Sequence, residues 1–162
     1  MSYRSRGLSA LALLTLLAAN PLLAANGDTY EWAYWGGDER SSRYSPLAQI
    51  DASNFGKLEV AWRWSAGNYG PEPDLIYRAT PIYVNGKLYT VAGQRRTVVC
   101  IEPETGETLW MFREKETPRW AASTRKDYGK GVAFARVDGR PVLYLLTPAS
   151  YLWALDADTG QP

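Results

Sequence analysis

The residues that could do chemistry in this chain are few and mostly cationic. There is no histidine. That removes Ser-His-Asp triads, His general bases and His-containing metal sites. A single cysteine, Cys100, excludes an intrachain disulfide and a Cys-cluster zinc site. It sits in the apolar run Thr97-Val-Val-Cys-Ile101, which reads as a buried core thiol. Glu102 and Asp156 stand in Gly-containing turns, where a carboxylate accepts turn hydrogen bonds. No residue reads as catalytic or as a metal ligand. What remains is a small basic group, Arg125, Lys126 and Lys130. Such cations suit an anionic ligand, or they are solvated loop charges. Trp120, in a polar loop, is either a ligand platform or a packing ring.

The elements that must position these groups are β-strands. The 162 residues include seven Trp, eleven Tyr and fourteen Gly. Rings and turn residues at that density favour an all-β fold over a helical bundle. The net charge of +1 gives no signal for a polyanion partner. Residues 1–25 are set apart. Arg4 and Arg6 precede the apolar run Leu8–Ala18, and Leu22-Leu-Ala-Ala25 offers small residues for cleavage. This is the layout of a secretory signal peptide, with the mature chain starting near Asn26. The run is too short for a transmembrane helix, and Asn20-Pro21 interrupts it. The expected compartment is the periplasm of a double-membraned cell. An uncleaved leader would give peripheral or N-terminal membrane association.

In residues 26–162, the stretch 26–46 reads as irregular backbone pinned by rings. Leu47 and Ile50 suggest one short turn ending near Ser53-Asn54. Leu58-Glu-Val-Ala-Trp-Arg-Trp64 alternates as a half-buried strand. Four strands are then predicted as an antiparallel meander: Thr80–Val84, Lys87–Val91, Thr97–Ile101 and Thr108–Phe112, with Asn85-Gly86 as a hairpin turn. A second series follows: Val132–Arg136, the turn Asp138-Gly139, Val142–Leu146 and Tyr151–Leu155.

The third strand of each series leads into the same phrase. One copy is Cys100-Ile-Glu-Pro-Glu-Thr-Gly106, the other Ala154-Leu-Asp-Ala-Asp-Thr-Gly160, with Thr105 and Thr159 54 residues apart. A four-strand unit repeated at this period, with an aromatic at a fixed place, marks a β-propeller. The acid accepts hydrogen bonds in the turn, Gly takes the positive φ and Trp110 fills the seam. Propellers need about four to eight blades, so one full blade and most of a second cannot close a ring. The expectation is therefore a fragment of a longer protein, or assembly with copies.

These phrases resemble the pyrroloquinoline-quinone (PQQ) dependent alcohol and glucose dehydrogenases. The resemblance rests on Trp35-Gly-Gly-Asp38, Arg43-Tyr-Ser-Pro-Leu-Ala-Gln-Ile50, Asn54-Phe-Gly-Lys-Leu-Glu-Val-Ala-Trp62 and Thr80-Pro-Ile-Tyr-Val-Asn-Gly-Lys-Leu-Tyr89. The tryptophan-docking phrase Cys100–Trp110 and its second start at Ala154–Gly160 complete it. It implies a partial β-propeller, the first blades of an eight-bladed ring. It also implies oxidation of an alcohol, polyol or sugar hydroxyl by PQQ beside a Ca²⁺ ion, with electrons passed to a membrane quinone or cytochrome c. The metal ligands and the proton-accepting Asp are expected beyond residue 162, so the chain alone would be inactive. A non-catalytic propeller that binds protein partners is the alternative.

The resemblance also assigns two cofactor-binding candidates. Arg78 stands where many relatives have a Glu that contacts PQQ; it either pairs with a carboxylate of the cofactor or is a rim arginine. Lys130-Gly-Val-Ala-Phe134 matches a phrase whose Arg reaches the cofactor, and Lys keeps the charge without the planar fork. The vicinal Cys pair of the methanol-dehydrogenase branch is absent from Ala121–Asp127.

Overall fold

In the computed structural model, residues 30–67, 69–70, 77–124, 126 and 129–162 are described. The signal peptide expected over 1–25 lies outside them. Two antiparallel sheets are formed. The first orders β1 (Ile82–Val84), β2 (Lys87–Ala92), β3 (Thr97–Ile101) and β4 (Thr108–Phe112) in sequence. The second orders β5 (Ala133–Val137), β6 (Arg140–Leu146) and β7 (Leu152–Asp156) in the same way. The two series predicted from strand-forming runs and turn residues are both present, and they make the unclosed start of a propeller.

Two turns set the registers. Asn85 and Gly86 have φ of 52° and 70°, and Asp138 and Gly139 have φ of 50° and 79°. Two successive positive φ values make the primed turn whose twist matches a two-residue hairpin, and Asn-Gly or Asp-Gly tolerates it best. The pairs Val84↔Lys87 and Val137↔Arg140 close on these turns.

The core is the seam between the sheets. Ile82, Val84, Tyr89, Val91, Val98 and Cys100 of the first sheet pack with Leu143, Leu145 and Leu155 of the second. Because side chains alternate along β3, Val99 and Ile101 point the other way. They form a second cluster with Tyr69 and Ala92, against which Trp62 and Trp64 pack. The central strand is thus buried on both faces. Polar links clasp the seam. Tyr89 Oη donates to Ala157 O (3.2 Å), Arg96 Nη1 to Leu146 O (2.9 Å), and Lys87 Nζ pairs with Asp158 (2.8 Å).

Three sequence expectations are corrected. Leu58–Trp64 does not enter a ladder with any described strand, and Leu58 and Val60 are exposed. Alternation makes one face apolar, but a strand also needs a partner backbone. Among the described residues the segment reaches the first sheet through its rings: Trp62 Nε1 donates to Pro103 O (2.8 Å) and Trp64 Nε1 to Thr108 Oγ1 (3.0 Å). The turn read at Leu47–Asn54 falls later, as a 3-10 turn at Phe55–Lys57. Asp51 Oδ1 draws in the Ser53 amide (2.7 Å), and the Asp51 carbonyl accepts from Phe55 N (2.9 Å), so local polar bonds override the Leu47/Ile50 spacing. Trp120 lies on a one-turn helix, α1 (Pro118–Ala121), rather than in a loop. Thr117 caps it by accepting from Trp120 N (3.1 Å), and Pro118 suits its first position.

Candidate functional site

The site is assembled where the chain enters the first strand of each sheet. Trp32 and Tyr83 exchange backbone hydrogen bonds (2.8 and 3.0 Å), which lays the lead-in antiparallel along β1. Running antiparallel, Trp35 comes beside the residues that precede β1. The chain then turns sharply. Gly37 N donates to Tyr34 O (3.0 Å), and Gly37 has φ of 90°. Gly36 lies so close to Ser41 that a Cβ on it would stand 2.6 Å from Ser41 Cα. Arg43 N donates back to Gly36 O (2.9 Å), and the Arg43 guanidinium sits 4.5 Å from the Trp35 ring centroid.

The second sheet begins against the same place. Gly131 has φ of 108°, and a Cβ on it would meet Thr80 O at 3.2 Å. This close approach carries Lys130 next to the segment that holds Arg78. The result is a cleft of about 470 Å³ lined, among the described residues, by Trp35, Arg78 and Lys130. Both cations are exposed, and no carboxylate is among the described lining residues. Two cations and an indole suit a planar anionic ligand. The two cofactor-binding candidates from the sequence therefore share one cleft, although 52 residues separate them.

Lys126 is engaged elsewhere. Lys126 Nζ donates to Ala121 O (2.6 Å) and lies 4.7 Å from the Trp120 ring. Arg125 lies outside the described residues. Trp120 does not line the cleft; Arg95 sits 5.6 Å from the same ring, and the indole Nε1 is buried without a hydrogen-bond partner among the described residues.

The turn acids behave as turn acids. Asp156 Oδ1 accepts from Thr159 N (2.8 Å), Thr159 Oγ1 (2.9 Å) and Asp158 N (3.0 Å). The Thr159 hydroxyl and amide hold its carboxyl below the usual range. Glu102 Oε1 accepts more weakly from Glu104 N (3.4 Å). Cys100 is fully buried, and burial pushes its thiol up to about 11. Among the described residues no three of His, Cys, Asp and Glu come together as a metal centre. Sequence reasoning missed Trp35 as a lining residue. Its signal was present in the Gly-Gly pair that follows it, since only a tight turn there presents the ring.

Comparison with known proteins agrees with this architecture. A family model described as the glucose/ethanol/alcohol dehydrogenase β-propeller domain, under the heading PQQ, matches residues 32–162. The glycerol dehydrogenase large subunit of Gluconobacter thailandicus is 34% identical over 88% of this chain and 20% of its own length. The dehydrogenase subunit of the quinone alcohol dehydrogenase of Gluconobacter oxydans is 31% identical over 98% of this chain and 21% of its own. Among solved structures, the quinohemoprotein alcohol dehydrogenase ADHIIG of Pseudomonas putida HK5 superposes with a TM-score of 0.67 at 28% identity, covering 82% of this chain and 18% of that one. The chain thus spans about a fifth of the length of these relatives. The family match, the paired sheets and the tryptophan-docked turns agree, and the chain belongs to the PQQ-dependent alcohol and glucose dehydrogenase family of quinoprotein propellers.

Proposed function

We propose that this chain is the opening part of a dehydrogenase that oxidises the hydroxyl of an alcohol, polyol or sugar and passes the electrons to a quinone or cytochrome. The observation that carries the reading is the cleft in which Arg78, Lys130 and Trp35 meet. Its donor set fits PQQ, a planar quinone bearing carboxylates. When bound, this cofactor supplies a quinone able to accept hydride from a hydroxyl-bearing carbon. The Arg78 guanidinium offers a planar fork to one carboxylate. The Lys130 ammonium supplies a point charge for a second anionic or carbonyl edge. Together the two cations orient the ring and offset its charge, which bulk water would otherwise do.

A Ca²⁺ partner for the cofactor would take its ligands from other blades, because the described residues form no such set. The base that accepts the hydroxyl proton would also lie outside this chain. The names borne by the relatives, among them glycerol, quinone alcohol and cytochrome c 1-butanol dehydrogenases, support a hydroxyl substrate and those acceptors. No described helix is long and apolar enough to cross a membrane. The leader at 1–25 supports a periplasmic location. A non-catalytic scaffold has no use for a cationic cleft at this point, so the enzyme reading is favoured.

The test uses the complete apo dehydrogenase that carries this segment. Adding PQQ with Ca²⁺ should give a stoichiometric bound cofactor. It should also give dye reduction with at least one of ethanol, 1-butanol, glycerol or glucose. A protein that takes up no PQQ would overturn the reading.

A further inference from the structure

We infer that Gly129 is a positioning residue of the cleft: its bare Cα lets the chain settle on Val91, and that seat fixes where Lys130 presents its ammonium. This rests on the PQQ reading above, because the placement of Lys130 matters only if the cleft takes that cofactor.

Lys130 stands between two glycines, and each is pressed against the first sheet or its entry. A Cβ on Gly129 would stand 2.4 Å from Val91 Cγ2 and 3.3 Å from Arg96 Cγ. A Cβ on Gly131 would stand 3.2 Å from Thr80 O. In Gly129-Lys130-Gly131 the lysine carries the only side chain, and it lines the cleft. The two seats are of different kinds. Gly131 has φ of 108°, which Ala resists whatever the space. Gly129 has no positive φ. Any L-residue could adopt its backbone, so the glycine there answers to contact alone.

Val91 cannot give way. It lies in β2, 2% exposed, in the core cluster that also holds Val98, Cys100 and Leu145. Its branched side chain is restricted at χ1, and a close-packed interior has no spare volume for a turned methyl. A methyl at 129 therefore lifts the chain instead. The far side is held, because Val132 packs on the same cluster, as does Ala79 next to Arg78. The lift thus falls on Lys130, which is exposed and has no core packing to resist it. A displacement on the order of 1 Å takes an ammonium out of range of a charge-assisted hydrogen bond.

The test is PQQ titration of the complete apo dehydrogenase at saturating Ca²⁺, read as cofactor affinity, with the apo melt of each variant followed alongside. Wild type, Gly129→Ala, Lys130→Ala and the double variant form a cycle. Gly129→Ala should bind about tenfold more weakly and no worse than Lys130→Ala, since it displaces the charge without removing it. In the Lys130→Ala background the same glycine change should cost less than about twofold, because nothing is left to position. Val91→Ala added to Gly129→Ala removes the obstructing methyl and should return affinity to within about threefold of wild type. Gly129→Ala at wild-type affinity would overturn the inference. An equal loss in both Lys130 backgrounds is what a general disturbance of the fold gives, and it would do the same. So would a Lys130→Ala protein that binds like wild type, or a loss that Val91→Ala does not relieve. Gly129→Ala that does not fold would assign the glycine to folding and sink the idea too. All these outcomes leave the dehydrogenase reading standing. Wild type that takes up no PQQ would end both.

Discussion

The Trp110 indole lies on Gly160: a Cβ there would stand 2.5 Å from Trp110 Cε3. The same relationship joins Trp62 to Gly106, where a Cβ would stand 2.6 Å from Trp62 Cδ2. In each case the indole Nε1 also donates to a carbonyl of the turn, Pro103 O for Trp62 and Ala157 O for Trp110. Pro103 and Ala157 are 54 residues apart, as are Gly106 and Gly160. One joint, a ring seated on a bare glycine of the next turn, is therefore built twice: between the two sheets at Trp110, and between the lead-in segment and the first sheet at Trp62.

Gly160→Ala and Gly106→Ala should each destabilise the fold by about 1–3 kcal/mol, from overpacking added to a positive φ that Ala resists. The φ values are 71° and 75°. Urea midpoints of the single variants check this. Gly139→Ala serves as the control, because its φ is 79° but nothing lies within 4 Å of the added Cβ. It should cost less than either.

Asp156 should make the second turn acid-sensitive. Its folded pKa is depressed, chiefly by the Thr159 hydroxyl and amide. A depressed carboxylate contributes stability that is present above its unfolded pKa, near the ordinary aspartate value of about 4. That stability is lost as pH falls through the lower folded value. Melting temperatures measured from pH 6 down to pH 2 should show this loss in wild type and a shallower one in Asp156→Asn.

The Cys100 thiol should resist modification. It is fully buried and raised to about 11 by burial, so little thiolate exists at neutral pH. Iodoacetamide at pH 7.5 should label it only as denaturant unfolds the protein. Fast labelling of the folded protein would contradict the burial.

Lys130→Ala in the complete apo enzyme should weaken PQQ binding by about ten- to a hundredfold, the loss of one charge-assisted contact of roughly 1.5–3 kcal/mol. Lys130→Arg should retain or improve it if the cleft admits the wider fork. The side chain is exposed, so apo stability should hold in both. Equal affinities in all three proteins would return Lys130 to a solvated role.

Export should remove the leader after Ala25. N-terminal sequencing of the exported product should then begin at or close to Asn26. Recovery of intact Met1 protein from the cytoplasm would refute it.

The sequence alone determined the strand series, both primed hairpin turns and the repeated acid-to-glycine turn. These are local: Asn85-Gly86 and Asp138-Gly139 set φ signs by themselves, and the strand-forming runs between turn residues mark the strands. It also placed Cys100 in the core, since an unbroken apolar run has nowhere else to go. Local pattern failed where a polar side chain captured the backbone, as at Asp51. It failed too where a strand-like segment met a neighbour through its rings, as at Leu58–Trp64. The tertiary structure alone decided the cleft. Lys130 and Arg78 are brought together because Gly131 lets one chain rest on Thr80 O, and Trp35 joins them because Trp32 is bonded to Tyr83. Neither contact leaves a periodic trace in the chain, since each depends on two distant backbones meeting at one point.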